Sequence, residues 1–228
     1  MTKNTSSGYV DRVAIWPSFS RHLAAAKPAA AMESLLVEIA DLGGAPPDPA
    51  TMLREFFGDD PMAARLAPLV VGLDHVGAIA PVGATIADAE SVLLSSPFRH
   101  ESRRFRSRIL AADLSERLGH AARADVLEAR TDGAGRRGLG FEWFVTDLPG
   151  HELEGLIRCE LGCHVALRLS PGIQSGDVHR ILGEPTGGRG PTVAMPMRTN
   201  AEIGIRLLYL DRSGEGGRVR RLELLDDA

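Results

Sequence analysis

The feature that most constrains the fold is a pattern that occurs twice. From about residue 72 to 149, and again from about 160 to 226, the chain reads as strand, short helix, then further strands. In the first unit "LDHVGAIAP" is an apolar strand, and "TIADAESVLLSS" puts Ile86, Ala89, Val92 and Leu93 on one side of a helix. "FRHESRRFRSRIL" either alternates as a strand or is irregular. "ADVLEARTD" and the aromatic-rich "GLGFEWFVTDLP" are strands. In the second unit "CHVALRLSP" is a strand, and "SGDVHRILGEP" is a helix ended by Gly183 and Pro185. "PTVAMPMRT", "IGIRLLYLDR" and "RVRRLELLDD" are strands, the last two parted by the turn "SGEGG". Residues 98–125 are long and Arg-rich for a strand and a turn, so an insertion is expected there.

The stretch before the repeat behaves differently. Residues 1–9 are polar and expected to fray. "YVDRVAIW" alternates as a strand and echoes "GLDHVGAI", with Arg12 in the histidine's place; the echo is taken as chance. "SRHLAAAKPAAAMESLLVEIADLGG" reads as a helix interrupted near Pro28 and stopped by Gly43 and Gly44. "APPDPA" is a turn-rich linker, after which Asp48 or Thr51 caps a helix over "TMLREFFGDDPMAARLAPLV". The expected division is a mostly helical extension over 1–69, a first module over 70–150 and a second over 151–228. The extension could cover a sheet edge, form a dimer contact or act as a lid.

Composition narrows the function classes. A hydrophobic content of 44% over 228 residues permits a sizeable core. The formal net charge of −4 argues against a nucleic-acid surface over the whole chain. Cys159 and Cys163 share one short segment, too few for a disulfide framework or a four-cysteine zinc site. A reduced, cytoplasmic setting is expected. The sequence has no transmembrane-length apolar run and no secretory leader pattern, so no membrane partner is expected.

Aligning the units by their first strands puts "LDHVGAIAP" over "GCHVALRLSP", so that His75 matches His164. Aligning them by their last strands puts "GFEWFVTD" over "RLELLDD", so that Glu142 matches Glu223. Two histidines and two carboxylates at equivalent places point to one divalent ion: Zn, Mn, Fe, Co or Ni. Side chains alternate across a strand. His164, Ala166 and Arg168 share one face of their strand, against Val165, Leu167 and Leu169. Glu142 shares a face with Phe144, and Glu223 with Arg221. Each candidate ligand points away from the more apolar side, as expected for a sheet curled around a polar interior.

These residues, "DHVG" opening a strand and "RRLELL" near the C-terminus, resemble the vicinal oxygen chelate superfamily, the fold of glyoxalases and extradiol dioxygenases. The resemblance covers roughly 70–226 and leaves the helical extension unexplained. It implies an α+β fold in which two βαβββ modules form a cupped mixed sheet around a metal site. Residue by residue, the family's ligand pattern falls on His75, Glu142, His164 and Glu223. Its two-histidine, one-carboxylate version falls on His75, His164 and Glu223. A homodimer is a further expectation of the resemblance. The second module departs from the first in having Cys163 where the first has Asp74.

Three functions follow as expectations. With both glutamates engaged, the chain is a metal-dependent isomerase, epimerase or lyase that grips neighbouring oxygens of a small oxygenated metabolite, with Glu142 and Glu223 as catalytic residues moving a proton. With Glu142 structural, it is an Fe(II) dioxygenase. Without metal, it is a small-molecule-binding protein. Arg168, on the face of His164, is expected to bind an anionic group of the substrate. "GAGRRG", residues 133–138, matches a dinucleotide motif by letters but precedes a strand, so it is read as a turn. His22, His100, His120, His151 and His179 are expected at the surface, and "RHESRRFRSR" as a solvated face or a wall of the site.

Overall fold

The computed structural model describes residues 16–23, 27–44, 46–58, 61–132, 138–183, 192–200, 205–213 and 217–227. The expected strand at "YVDRVAIW" and most of "GAGRRG" and "SGEGG" lie outside them.

Four helices come first: α1 (Phe19–Leu23), α2 (Pro28–Gly44), α3 (Pro49–Phe57) and α4 (Met62–Leu66), then a 3-10 turn at Ala67–Leu69. Pro28 opens α2, where its missing N–H costs nothing. Asp48 caps α3 by accepting from the Thr51 amide over 3.1 Å. The single helix expected over 51–70 is broken, because Gly58 takes a positive φ of 66° and ends α3.

The two repeats then form one sheet. The first contributes β1 (Val70–Ile79), α5 (Ile86–Leu94), β2 (His100–Arg106), α6 (Arg108–Leu118), β3 (Ala124–Arg130) and β4 (Gly140–Thr146). After a linking helix α7 (Gly150–Arg158), the second contributes β5 (His164–Leu169), α8 (Ser175–Gly183), β6 (Thr192–Asn200), β7 (Ile205–Ser213) and β8 (Val219–Asp227). The strand order is β2-β3-β4-β1-β5-β8-β7-β6. Within each module the first and last strands pair in parallel, β1 with β4 and β5 with β8. The modules meet through antiparallel β1 and β5. The α+β arrangement of paired βαβββ modules is therefore the one observed.

Two helices were not foreseen. α6 is the insertion expected within 98–125; it follows directly on β2, capped by Ser107 and closed by Gly119. α7 buries Leu153, Leu156 and Ile157. β2 carries the charged run and forms an exposed sheet edge, where Arg103 pairs with Glu128 and Arg104 with Asp125.

One apolar cluster joins the helical extension to the sheet. It takes Met32, Leu35, Leu36 and Ile39 from α2, and Leu53 and Phe56 from α3. From the sheet it takes Val76, Phe141, Trp143, Val165, Leu167, Leu222 and Leu224. α2 packs on α5, α3 on β1, α4 on α8 and α1 on α7, so the extension thickens the helical layer. Among the described residues no helix is long and apolar enough to cross a membrane. Because Leu35 is fully buried in this shared core, Leu35→Ala is expected to lower stability by about 2–5 kcal/mol. Urea unfolding followed by circular dichroism and by tryptophan fluorescence should show one coincident transition; two separate transitions would contradict the shared core.

Candidate metal centre

The β1–β5 seam brings the two histidines together. Its register sets His75 opposite Ala166 and His164 opposite Gly77. The flanking strands complete the pattern, with Gly77 opposite Glu142 on β4 and Ala166 opposite Glu223 on β8. The four side chains stand on the four central strands at positions related by the internal repeat. The rings need room on this face, and small residues supply it. A Cβ on Gly77 would lie 2.2 Å from His164 Cε1, and one on Gly140 would lie 2.8 Å from His75 Cβ.

All four expected ligands converge. His75 Nε2 and His164 Nε2 are 3.0 Å apart. Glu223 Oε2 lies 3.2 Å from the first and 3.0 Å from the second. Glu142 Oε2 stands farther off, at 3.8 and 3.9 Å. Donor atoms about 2.1 Å from an ion, at right or tetrahedral angles, lie roughly 2.9–3.4 Å from one another. The two imidazoles and Glu223 meet that spacing, and Glu142 lies just outside it. His75, Glu142 and His164 each offer a ligand atom within 4.8 Å of the others. The donor set fits a divalent transition metal.

Electrostatics separate the two glutamates. Burial raises the Glu142 carboxyl above its ordinary value, with the two histidines only partly opposing it. Burial also acts on Glu223, but hydrogen bonds and charge from His164 and His75 prevail and hold it at about 2. Burial disfavours charge on His75; Glu142, Asp74 and Glu223 overcome it and raise its pKa well above the usual imidazole value. Tyr209, opposite Glu223 on β7, is pushed upward by burial and by the two glutamates, which disfavour a phenolate. Its ring and that of Phe144 lie 6.0 and 5.7 Å from His164, centroid to centroid.

The inserted α6 crosses this face. Ile109 packs with Tyr209 against Ala166 and Leu225. One turn on, Asp113 accepts from Arg221 over 3.1 Å, and one turn further Arg117 reaches Asp211 at 3.3 Å. Arg221 and Leu225 flank Glu223 on the same face of β8, so the start of α6 lies over Glu223. Arg221 also grips Asp211 with two bonds of 2.8 and 3.0 Å. The burial follows: the Glu223 side chain is 3% exposed, against 15% for Glu142.

Arg168 lies beside the cluster. It shares the face of His164, as its spacing requires, and its guanidinium donates to Asp74. Asp74 was not singled out from sequence. Neighbouring residues of a regular strand face opposite ways, whereas a register shift between Leu73 and His75 marks a bulge here. Cys163 is buried and its thiol is pushed up to about 12 by burial, consistent with a structural role. One expectation is corrected. His22 is buried, because it joins α1 to α2 by bonds to Ser34 Oγ at 2.9 Å and to Glu38. His100, His120 and His151 are exposed, and the side chain of His179 lies outside the description.

No family model and no curated protein matches the chain. Among solved structures, a selenomethionine methylmalonyl-CoA epimerase is 12% identical, with 68% of this chain and 96% of that one covered and a TM-score of 0.42. The Streptomyces coelicolor methylmalonyl-CoA epimerase, as a variant with 2-nitronate-propionyl-CoA, is 15% identical over 68% and 97%, with a TM-score of 0.38. A methylmalonyl-CoA epimerase with methylmalonyl-CoA and NH4+ is 15% identical over 68% and 94%, with a TM-score of 0.36. At such identities and scores the activity of this chain is read from its own geometry.

Gly77→Ala tests the close approach of strand and imidazole. The overlap with His164 is expected to cost about 1–3 kcal/mol of stability. It should also weaken Zn(II) binding at least about tenfold by displacing a candidate ligand. Denaturant unfolding and calorimetric titration with Zn(II) measure the two effects. Unchanged binding would mean that His164 does not need the space above Gly77.

Proposed function

We propose that the protein is a divalent-metal-dependent enzyme that holds neighbouring oxygens of a small oxygenated metabolite and moves a proton on it, as an isomerase, epimerase or lyase. The observation that carries this reading is the convergence of His75, His164, Glu223 and Glu142, from repeat-related positions, on one point. Structural histidines in a core take separate backbone partners; these two face each other and share two carboxylates.

A divalent ion held there would act as a Lewis acid and make a carbon-bound proton beside a carbonyl more acidic. The chain's own residues then divide the work. His75, His164 and Glu223 hold the ion; Glu223 is deeply buried and stays anionic. Glu142 stands farther from both imidazoles and is the more exposed glutamate, so its carboxylate is the group that takes the substrate's proton and returns it. α6 lies over the Glu223 side and keeps water from it, which directs substrate toward Glu142. Arg168, 19% exposed beside the cluster, is placed to meet an anionic group of the substrate while bound to Asp74.

The distances also favour a second reading. The three closest donors, His75, His164 and Glu223, form a two-histidine, one-carboxylate set, and that set without Glu142 suits Fe(II) and O₂.

Elemental analysis of protein purified without added metal, beside His164→Ala, tests the assignment. Near-stoichiometric Zn, Mn, Co or Ni that drops in the variant is the expected result. Stoichiometric Fe with substrate-dependent oxygen uptake would favour the dioxygenase. No metal in the wild type, even after reconstitution, would return the chain to a metal-free binding protein. The two glutamates should also separate. Glu223→Gln is expected to weaken Zn(II) affinity more than about tenfold, whereas Glu142→Gln should change it less and abolish exchange of substrate C–H protons with solvent. Equal losses of affinity would remove the distinction.

A further inference from the structure

The two halves of the site differ beyond their ligands. Asp74 precedes His75, and Cys163 stands at the matching place before His164. The bulge in β1 lets Asp74 and His75 lie on one side of the sheet. A carboxylate only accepts, so His75 Nδ1 donates to Asp74 Oδ2, over 3.0 Å. Two arginines grip the same carboxylate. Arg130 donates to Oδ2 over 3.2 Å, and Arg168 donates to Oδ1. Arg130 comes from β3 of the first module and Arg168 from β5 of the second. Arg130 is tied in turn to the Gly138 carbonyl at 2.9 Å. Asp74 is 6% exposed, so this is a built, buried arrangement rather than a surface pair.

The chemistry of imidazole gives the arrangement a consequence. A ring that donates from Nδ1 is the tautomer whose Nε2 keeps its lone pair, and a carboxylate behind the ring holds both that tautomer and the ring plane. His75 Nε2 faces His164 and Glu223. Resting on the metal-centre reading above, we propose that Asp74 is the positioning residue of the cluster. It fixes His75 with Nε2 toward the ion, and Arg130 and Arg168 act on the site by immobilising Asp74 from the two modules. The metal centre is thus asymmetric: the first histidine is held by a clamped carboxylate, and the second by packing over Gly77.

Two readouts on the full chain test this. Chelator competition measures Zn(II) affinity, which is expected to fall about 10–100-fold in Asp74→Ala; Cys163→Ala, at the matching place, should remain within about threefold of wild type. Nitrogen-15 NMR of histidine-labelled, Zn-loaded protein reads the ring directly. Wild-type His75 should be the Nδ1–H tautomer, and the variant a mixture or the other form. Circular dichroism confirms folding, and Asp74→Leu, similar in shape and without an acceptor, replaces the alanine variant if that one does not fold. An unchanged tautomer or an unchanged affinity in a folded variant overturns the proposal. If the wild type takes up no metal, the functional reading fails; the tautomer of metal-free protein, at a pH where His75 is neutral, still decides the role of Asp74.

Discussion

The antiparallel pairing of β1 with β5 is the contact on which the rest depends. Among the described residues it is the only seam between the modules within the sheet order, and its register decides what faces what. Because side chains alternate along a strand, a slip of one residue would send one histidine into the helical core. The observed register instead crosses the two strands so that each histidine lies over a small residue of the other. Gly77 and Ala166 occupy matching positions in the repeat, and each borders the glutamate of its own module. The meeting of His75, Glu142, His164 and Glu223 follows from one set of backbone hydrogen bonds.

Burying these groups is costly without compensation. Imidazoles and carboxylates removed from water lose solvation worth several kcal/mol each unless they are paired. The protein compensates by pairing these groups closely: Glu223 with both histidines, Asp74 with His75 and two arginines, and Arg221 with Asp211 and Asp113. The last group anchors α6 over the site. The helix that shields the cluster is therefore held by charges, while Leu110 and Leu114 on its neighbouring stripe join the apolar core.

The internal repeat explains what is symmetric, and the insertions explain what is not. A histidine, a glutamate, their small neighbours and a parallel strand pair recur in both modules. α6 belongs to the first module yet covers residues of the second. Asp74 and Cys163 share a position, and only the first is charged. Such differences give a duplicated frame two unlike sides: one closed by α6 beside Glu223, the other more open at Glu142.

Much of this was legible in the chain itself. The doubled pattern yielded every strand of the described sheet but β2, whose charged run left strand and irregular structure both open, and matching the two copies singled out His75, Glu142, His164 and Glu223 without any structure. The four side chains do converge, because a strand's period of two and a repeated unit are local regularities. α6 was not legible, since its apolar positions are few and adjoin an arginine-rich strand. Asp74 was hidden by the ordinary rule of alternation, which its bulge breaks. For Arg168 the sequence determined the face but not the partner. Sequence by itself thus determined which residues share a face wherever a strand is regular, because backbone geometry converts spacing into direction. Only the tertiary structure decided which of them meet, because β1 and β5 lie far apart in the chain and their register is set by packing that no short stretch contains.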